Sequence, residues 1–393
     1  MNIALVSSIF IPGLVYIEEG LAKVLTGMGH EVTVFSSKYY PFSSPLDQRK
    51  TLATYQTVFL HNSNLYYKIR RLNTLIKLRS NIICVNLKKN ISKLNPDLII
   101  LVGVSDFFPL AIINKKMANK YLIYAFIGQN FDMWHWRQNH NKFIKAYSFF
   151  VNYAIKGFLY RKSIKYLNKL ILYTPDTETI ILWLISKKLK KVLDRKKINI
   201  PLGFNSDDFY FIPEARISVR KDLKIEADRI IFITVTRVDK SKKIDEILNS
   251  IHLLGRSDVV YFIIGFINNS SAIEAEQLIN KLNLTDRVFC FPFLPISELL
   301  KYFSAADFGI WLKSGASIQQ AMGTGLPVIL PENSTTSELI TEGLNGFYIK
   351  NNLQDTLSEA LSNYSYDIEK RRRIEVFNRN RFSYQSILKE ILI

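Results

Sequence analysis

Two cysteines in 393 residues, Cys84 and Cys290, stand far apart and outside any ligand-like spacing. That excludes a disulfide framework and a zinc cluster, and it fits a reducing compartment such as the cytosol. Long hydrophobic runs are missing too. The longest, Leu98 to Val104 and Thr179 to Ile185, cover about seven residues, where a membrane-spanning helix needs roughly 20. No G-x-G-x-x-G follows the first apolar run, which argues against a dinucleotide oxidoreductase. No Asp-x-Asp pair is available to hold a metal, and there is no internal repeat or low-complexity segment. The chain enters an apolar run at Met1–Val6 without a basic segment ahead of it, so no secretory leader is expected.

What is present is a globular composition, 48% hydrophobic and 22% charged, long enough for two domains with a core each. The net charge of +18 is unevenly spread. Residues 1–200 hold 30 Lys and Arg against 10 Asp and Glu, and residues 201–393 hold 22 against 24. Such a one-sided excess faces phosphates, or else forms a solvated Lys-rich face. Nucleic acid, an anionic membrane leaflet and a pyrophosphate-bearing substrate are the candidate partners. No nucleic-acid recognition motif accompanies the charge, so nucleic acid is not expected.

Short apolar runs alternate with longer amphipathic stretches, the pattern of parallel strands joined by helices, and predict an α/β fold. Strands are expected at Ile3–Ser7, Glu31–Phe35, Asp97–Val102 and Tyr121–Phe126, with a helix over Glu19–Met28. A second series is expected at Ile230–Thr234, Val259–Ile264, Val288–Phe291, Phe308–Trp311 and Val328–Leu330. Between the series, Ile198–Asn205 is punctuated by Pro201 and Gly203 and reads as a connector. The expected division is 1–200, 201–366 and a helical tail over 367–393, whose Phe382, Tyr384, Ile387, Leu388 and Ile391 dock it back toward the first domain. Ligands of open parallel sheets bind beyond the carboxyl ends of the strands. That singles out Phe10–Glu18, Gly103–Asp106 and Gly128–Asp132.

The most informative motif is Thr234–Asp245, a strand running into a basic loop that opens a helix. A departing nucleoside diphosphate gathers negative charge, which fixed cations and helix amides stabilise without a metal. The segment resembles the "GRL-x-x-x-KG" element of family-four retaining glycosyltransferases, with Arg237 and Lys242 at the matching spacing and Thr236 and Lys243 in place of the two glycines. A second stretch, Asp307–Ile329, resembles that family's strand, donor loop and "E-A-M-A-x-G-x-P-V-I" segment. Ala321-Met322, Gly325 and Pro327-Val328-Ile329 are in register, with Glu338 and Gly346 following. Two family carboxylates are replaced, by Gln320 at the ribose and by Leu312 at the donor sugar. Ser314, Gly315 and Ser317 supply hydroxyls and amides at the helix start.

In the first half Gly29–Val34 matches the family's "G-H-E-V-T-V", a structural turn into a strand. Pro12-Gly13 stands where the family's acceptor loop lies, and Tyr16-Ile17-Glu18 resembles its "Y-Q-E" variant. Gly128–Arg137 mixes amide, carboxylate and aromatics suited to a sugar ring, with Asn130 and Asp132 foremost. Two basic amphipathic stretches, Phe143–Tyr173 and Thr179–Lys197, either lie in a membrane interface or pack into the domain.

The resemblance implies a GT-B fold, two Rossmann-like domains facing across a cleft, and a metal-independent, retaining hexosyltransferase needing no cofactor. Its donor would be a nucleotide-sugar, and its acceptor a glycan or polyprenyl-pyrophosphate-linked glycan in bacterial-type surface polysaccharide synthesis. The protein would be cytoplasmic or peripheral on the inner face of the plasma membrane. Arg237, Lys242 and Asp132 are the expected catalytic residues. Donor binding falls to Arg237, Lys242, Phe293, Ser314, Gly315, Ser317 and Gln320, and acceptor binding to Gly13, Tyr16, Glu18 and Asn130. Loss of both family carboxylates keeps open a catalytically silent homologue that scaffolds an active glycosyltransferase.

Overall fold

The computed structural model describes residues 1–13, 16–39, 52–61, 63–78, 81–129, 150–333, 335–362 and 364–392. The chain divides into two compact units, Met1–Pro201 and Leu202–Ile393.

The first unit holds β1 (Asn2–Val6), β2 (Glu31–Ser37), β3 (Tyr55–Phe59), β4 (Tyr66–Leu72), β5 (Thr74–Leu78), β6 (Asn81–Cys84), β7 (Leu98–Val102), β8 (Leu122–Ile127), β9 (Lys169–Leu172) and β10 (Lys197–Asn199). Eight of them form one sheet in the order β10-β9-β8-β7-β1-β2-β4-β3, parallel except where β3 runs against β4. β5 and β6 form a separate antiparallel pair. The strands expected from the sequence occupy the middle of this sheet. β3 to β6 were not expected, and β3 shows why: four of its five residues are exposed, so an edge strand carries little buried-face alternation to read. The segment read as a connector begins as a strand, because Lys197–Asn199 adds to the edge at β9.

The second unit has β11 (Ile230–Val235), β12 (Val259–Ile264), β13 (Val288–Phe291), β14 (Phe308–Ile310), β15 (Val328–Pro331) and β16 (Gly346–Ile349), all parallel, in the order β13-β12-β11-β14-β15-β16. Every residue of β11 and β12 is buried, as expected when helices cover both faces of a parallel sheet. The helix Ile244–Leu253 supplies one cover through Ile244, Ile247, Leu248 and Ile251, a 3.6-residue repeat.

At the amino ends of β11 and β14 a buried charged cluster ties the unit together. Arg216 and Arg220 each pair with the Asp307 carboxylate at 2.7 Å, and Tyr364 donates to it as well. Arg371, from the helix Ile368–Phe382, donates to the carbonyls of Phe303, Ala306 and Thr324 at 2.7–2.8 Å. Burial pulls its guanidinium down to about 10, against the pull of Tyr364 and Asp307. The tail is two helices rather than one. Ser383 leaves the helical path to bridge Phe204, whose carbonyl accepts Tyr384 N at 2.8 Å, before the helix Tyr384–Leu392 begins. Among the described residues no helix is long and apolar enough to cross a membrane.

Candidate functional site

Each sheet has one place where the strand order reverses direction, and there the connections leave in opposite directions and open a crevice at the carboxyl edge. In the second unit it lies between β11 and β14, and in the first between β1 and β7. Arg237, Lys242, Ser314, Gly315, Ser317 and Gln320 fall at the first, and Gly13, Tyr16 and Glu18 at the second.

Beyond β11 the loop is shaped by Asp239. Its carboxylate accepts Ser241 N at 3.0 Å and the Ser241 hydroxyl, and it draws in Arg237 Nε at 3.3 Å. Burial works against its charge, but these hydrogen bonds prevail and hold the carboxyl below its usual range. A short 3-10 turn, Lys240–Lys242, follows and leads into the helix Ile244–Leu253. Three cations here have carboxylate partners: Arg237 with Asp239, Lys240 with Glu274 and Lys243 with Glu246. Lys242, half-exposed, pairs with no carboxylate among the described residues. Lys243 holds φ +55°, the left-handed conformation that explains the family's glycine at this position.

The loop beyond β14 is cross-linked to the end of β11. Trp311 Nε1 and Ser317 Oγ both donate to Val235 O, at 3.1 and 2.6 Å, and Thr234 Oγ1 donates to Ile310 O at 2.6 Å. The Ser317 hydroxyl proton, expected to face a donor, is thus spent on the scaffold. Gly315 caps the helix Ala316–Gly323 in an extended conformation, and among the described residues no side chain caps its first amides. Ser314 and Gln320 are half-buried beside it. Leu312, at the family's second carboxylate position, is packed into the apolar core. Gln319 is buried, and its Oε1 has no partner among the described residues. Phe293 is half-exposed. Its ring lies beside Gly265, where a Cβ would also stand 2.1 Å from Thr236 O.

In the first unit Gly13 adopts φ +89°, and its amide donates to both Glu19 carboxylate oxygens at 2.9 Å. The helix Ile17–Gly27 therefore anchors the β1 loop through Glu19, a residue the sequence did not single out. Tyr16 is exposed, and its carbonyl accepts the first helical amides. Glu18 is part-buried, and burial lifts its carboxyl to about 7, with Glu19 adding to the lift and its own backbone amide opposing it. Across the switch point Asp106 accepts from Ser8 and from Phe108 N at 3.2 Å, yet burial raises it to about 6. Beyond β8, Gly128 lies under the Tyr173 ring, and Thr174 and Thr177 clamp the Gln129 backbone. Asn130 and Asp132 lie outside the described residues. Among the described residues no three His, Cys, Asp or Glu side chains gather as a metal site.

The family of glycosyl transferases group 1 matches residues 216–381. No curated protein matches the chain in sequence. Among solved structures, sucrose-phosphate synthase from Thermosynechococcus elongatus is similar over 99% of this chain and 97% of its own, at a TM-score of 0.68 and 17% identity. HepE from Anabaena, solved in complex with UDP and glucose, is similar over 100% and 98%, at 0.68 and 15%. WaaG, a glycosyltransferase involved in lipopolysaccharide biosynthesis, is similar over 99% and 98%, at 0.64 and 14%. At these identities the likeness is one of fold, two parallel-sheet α/β domains of GT-B type. The chain thus carries a glycosyl transferases group 1 domain on a GT-B fold.

Proposed function

We propose that this chain transfers a hexose from a nucleotide-sugar donor to a hydroxyl of a glycan or lipid-linked glycan, with retention of anomeric configuration and without a metal. The observation that carries the reading is Lys242, a cation with no carboxylate partner among the described residues, beside Arg237 at the β11–β14 switch point. Both would take up charge on the leaving diphosphate, and the uncapped amides at Gly315 would add to it. Gln320 and Ser314 would meet the ribose and sugar, and the nucleobase would rest near Phe293. Acceptor recognition falls to the first unit, through Gly13, Tyr16, Glu18 and Asn130, with Asp132 as its catalytic residue. HepE, solved with UDP-glucose, makes a uridine nucleotide the first donor to try, and WaaG points to surface glycans as acceptors. The exposed Lys187, Lys188, Lys190, Lys191 and Arg195 beside Trp183 fit work at an anionic membrane face.

Leu312 in the core favours a second reading, a silent homologue that supports an active partner. Thermal denaturation against UDP, GDP, ADP and CMP and their sugar conjugates separates the two. A shift with one nucleotide, lost in Arg237→Ala, is the expected result. No shift with any nucleotide turns the assignment to the silent partner.

A further inference from the structure

Arg71 is the largest of the fully buried side chains, 1% exposed, and it faces no carboxylate among the described residues. One edge of its guanidinium is satisfied: Nη1 donates to Ala53 O and to Gln56 Oε1, both at 3.0 Å. The other edge is not. Among the described residues Nε has no partner, and Nη2 reaches only Phe10 O at 3.5 Å, beyond the usual hydrogen-bond range. This Nε–Nη2 edge is the fork that takes a carboxylate or phosphate through two parallel hydrogen bonds.

A second orphan lies next to it. Ser36, fully buried, is the register partner of Arg71 across β2 and β4, so the two side chains emerge on the same sheet face about 4.8 Å apart in backbone spacing. Its Oγ also has no partner among the described residues. Both residues stand one place before the carboxyl ends of their strands, under the β1 loop, whose Phe10 ring packs edge-on against Tyr67 of β4. Buried polar groups without partners are rare and call for an explanation.

We propose that Arg71 and Ser36 form an oxyanion subsite in the first unit, in which a phosphate or carboxylate group of a ligand displaces the Phe10 carbonyl and accepts from Arg71 Nε and Nη2 and from Ser36 Oγ. Together with the reading above, on which this last step rests, the acceptor carries that anionic group.

The test must keep the donor loop from contributing. In an Arg237→Ala/Lys242→Ala background, calorimetric titration with inorganic phosphate and, separately, with glucuronate should show saturable binding of one of them. Arg71→Gln added to that background should weaken it at least tenfold. A phosphate preference assigns a phosphorylated acceptor, and a glucuronate preference an acidic sugar. If Arg71→Gln fails to fold, Ser36→Ala serves instead and should weaken binding severalfold. Binding of neither anion, or binding unchanged in a folded Arg71→Gln or Ser36→Ala variant, overturns the subsite. Nucleotide binding that survives Arg237→Ala/Lys242→Ala would overturn the donor assignment and leave this result standing.

Discussion

The two switch points of this molecule are built from opposite materials. In the second unit the loops beyond β11 and β14 carry exposed cations and are laced to the strands by Trp311, Ser317 and Thr234. In the first unit the loops beyond β1 and β7 carry part-buried carboxyls, Glu18 and Asp106, and are pinned by Glu19 and Ser8. Cations gathered on a loop attract an anionic ligand. A carboxyl raised toward neutrality is protonated for part of the time, and it can donate to an oxygen or accept from a hydroxyl. Under the proposed function, the cationic loops would meet a departing diphosphate and the carboxyls an incoming hydroxyl.

The comparison can be broken most forcefully at Gly265. Its φ is +102°, and a Cβ would meet Thr236 O at 2.1 Å. Gly265→Ala should cost more than about 3 kcal/mol. Urea titration should show that loss, along with loss of nucleotide binding; an unchanged midpoint would refute the packing described. Removing the cations should leave the fold and act on the chemistry: Arg237→Ala or Lys242→Ala is expected to lower kcat by roughly 10² to 10³, the cost of one charge-stabilising donor. Transfer at the parental rate would sink the donor assignment.

The carboxyl side sharpens through pH. Folded Glu18 binds its proton up to about 7, whereas the unfolded chain releases it near 4.5. The folded state therefore holds more protons between these values, and stability falls as pH rises through that window. Asp106, from 3.8 to about 6, adds the same sign. Calorimetry should show the melting temperature declining from pH 4.5 to 7, with a shallower decline in Glu18→Gln. An identical slope would remove Glu18 from the effect. A smaller loss, about 1 kcal/mol, is expected for Gly13→Ala, which forces an L-residue into φ +89° with no steric clash. The smallest effect should be a gain. Lys243→Gly relieves φ +55° and should stabilise by less than about 1 kcal/mol, since glycine's greater unfolded-state freedom offsets part of the relief.

The strand-to-helix turn that carries Arg237 and Lys242 was legible in the sequence because a buried apolar run leads into cations and then an amphipathic helix, and the central strands were legible because burial on both faces makes apolar runs. What was not legible depends on partners far along the chain. Ser317 could not be seen to serve Val235, 82 residues away, nor Glu19 to be preferred over Glu18 for the Gly13 amide. Leu312 read as a lost carboxylate, but only the fold shows that its side chain has joined the core. Arg71 and Ser36 are distant in sequence and become neighbours through the β2–β4 register alone.

The Asp307 cluster bears on how this protein can be recombined. Arg371 reaches the backbone at Phe303, Ala306 and Thr324 from a helix that a sequence-based division would treat as a detachable tail. A chimera that swaps residues 202–366 while keeping the original last two helices would strand a buried guanidinium against foreign carbonyls. The exchangeable cassette is therefore 202–393 entire, with a single crossover point after Pro201.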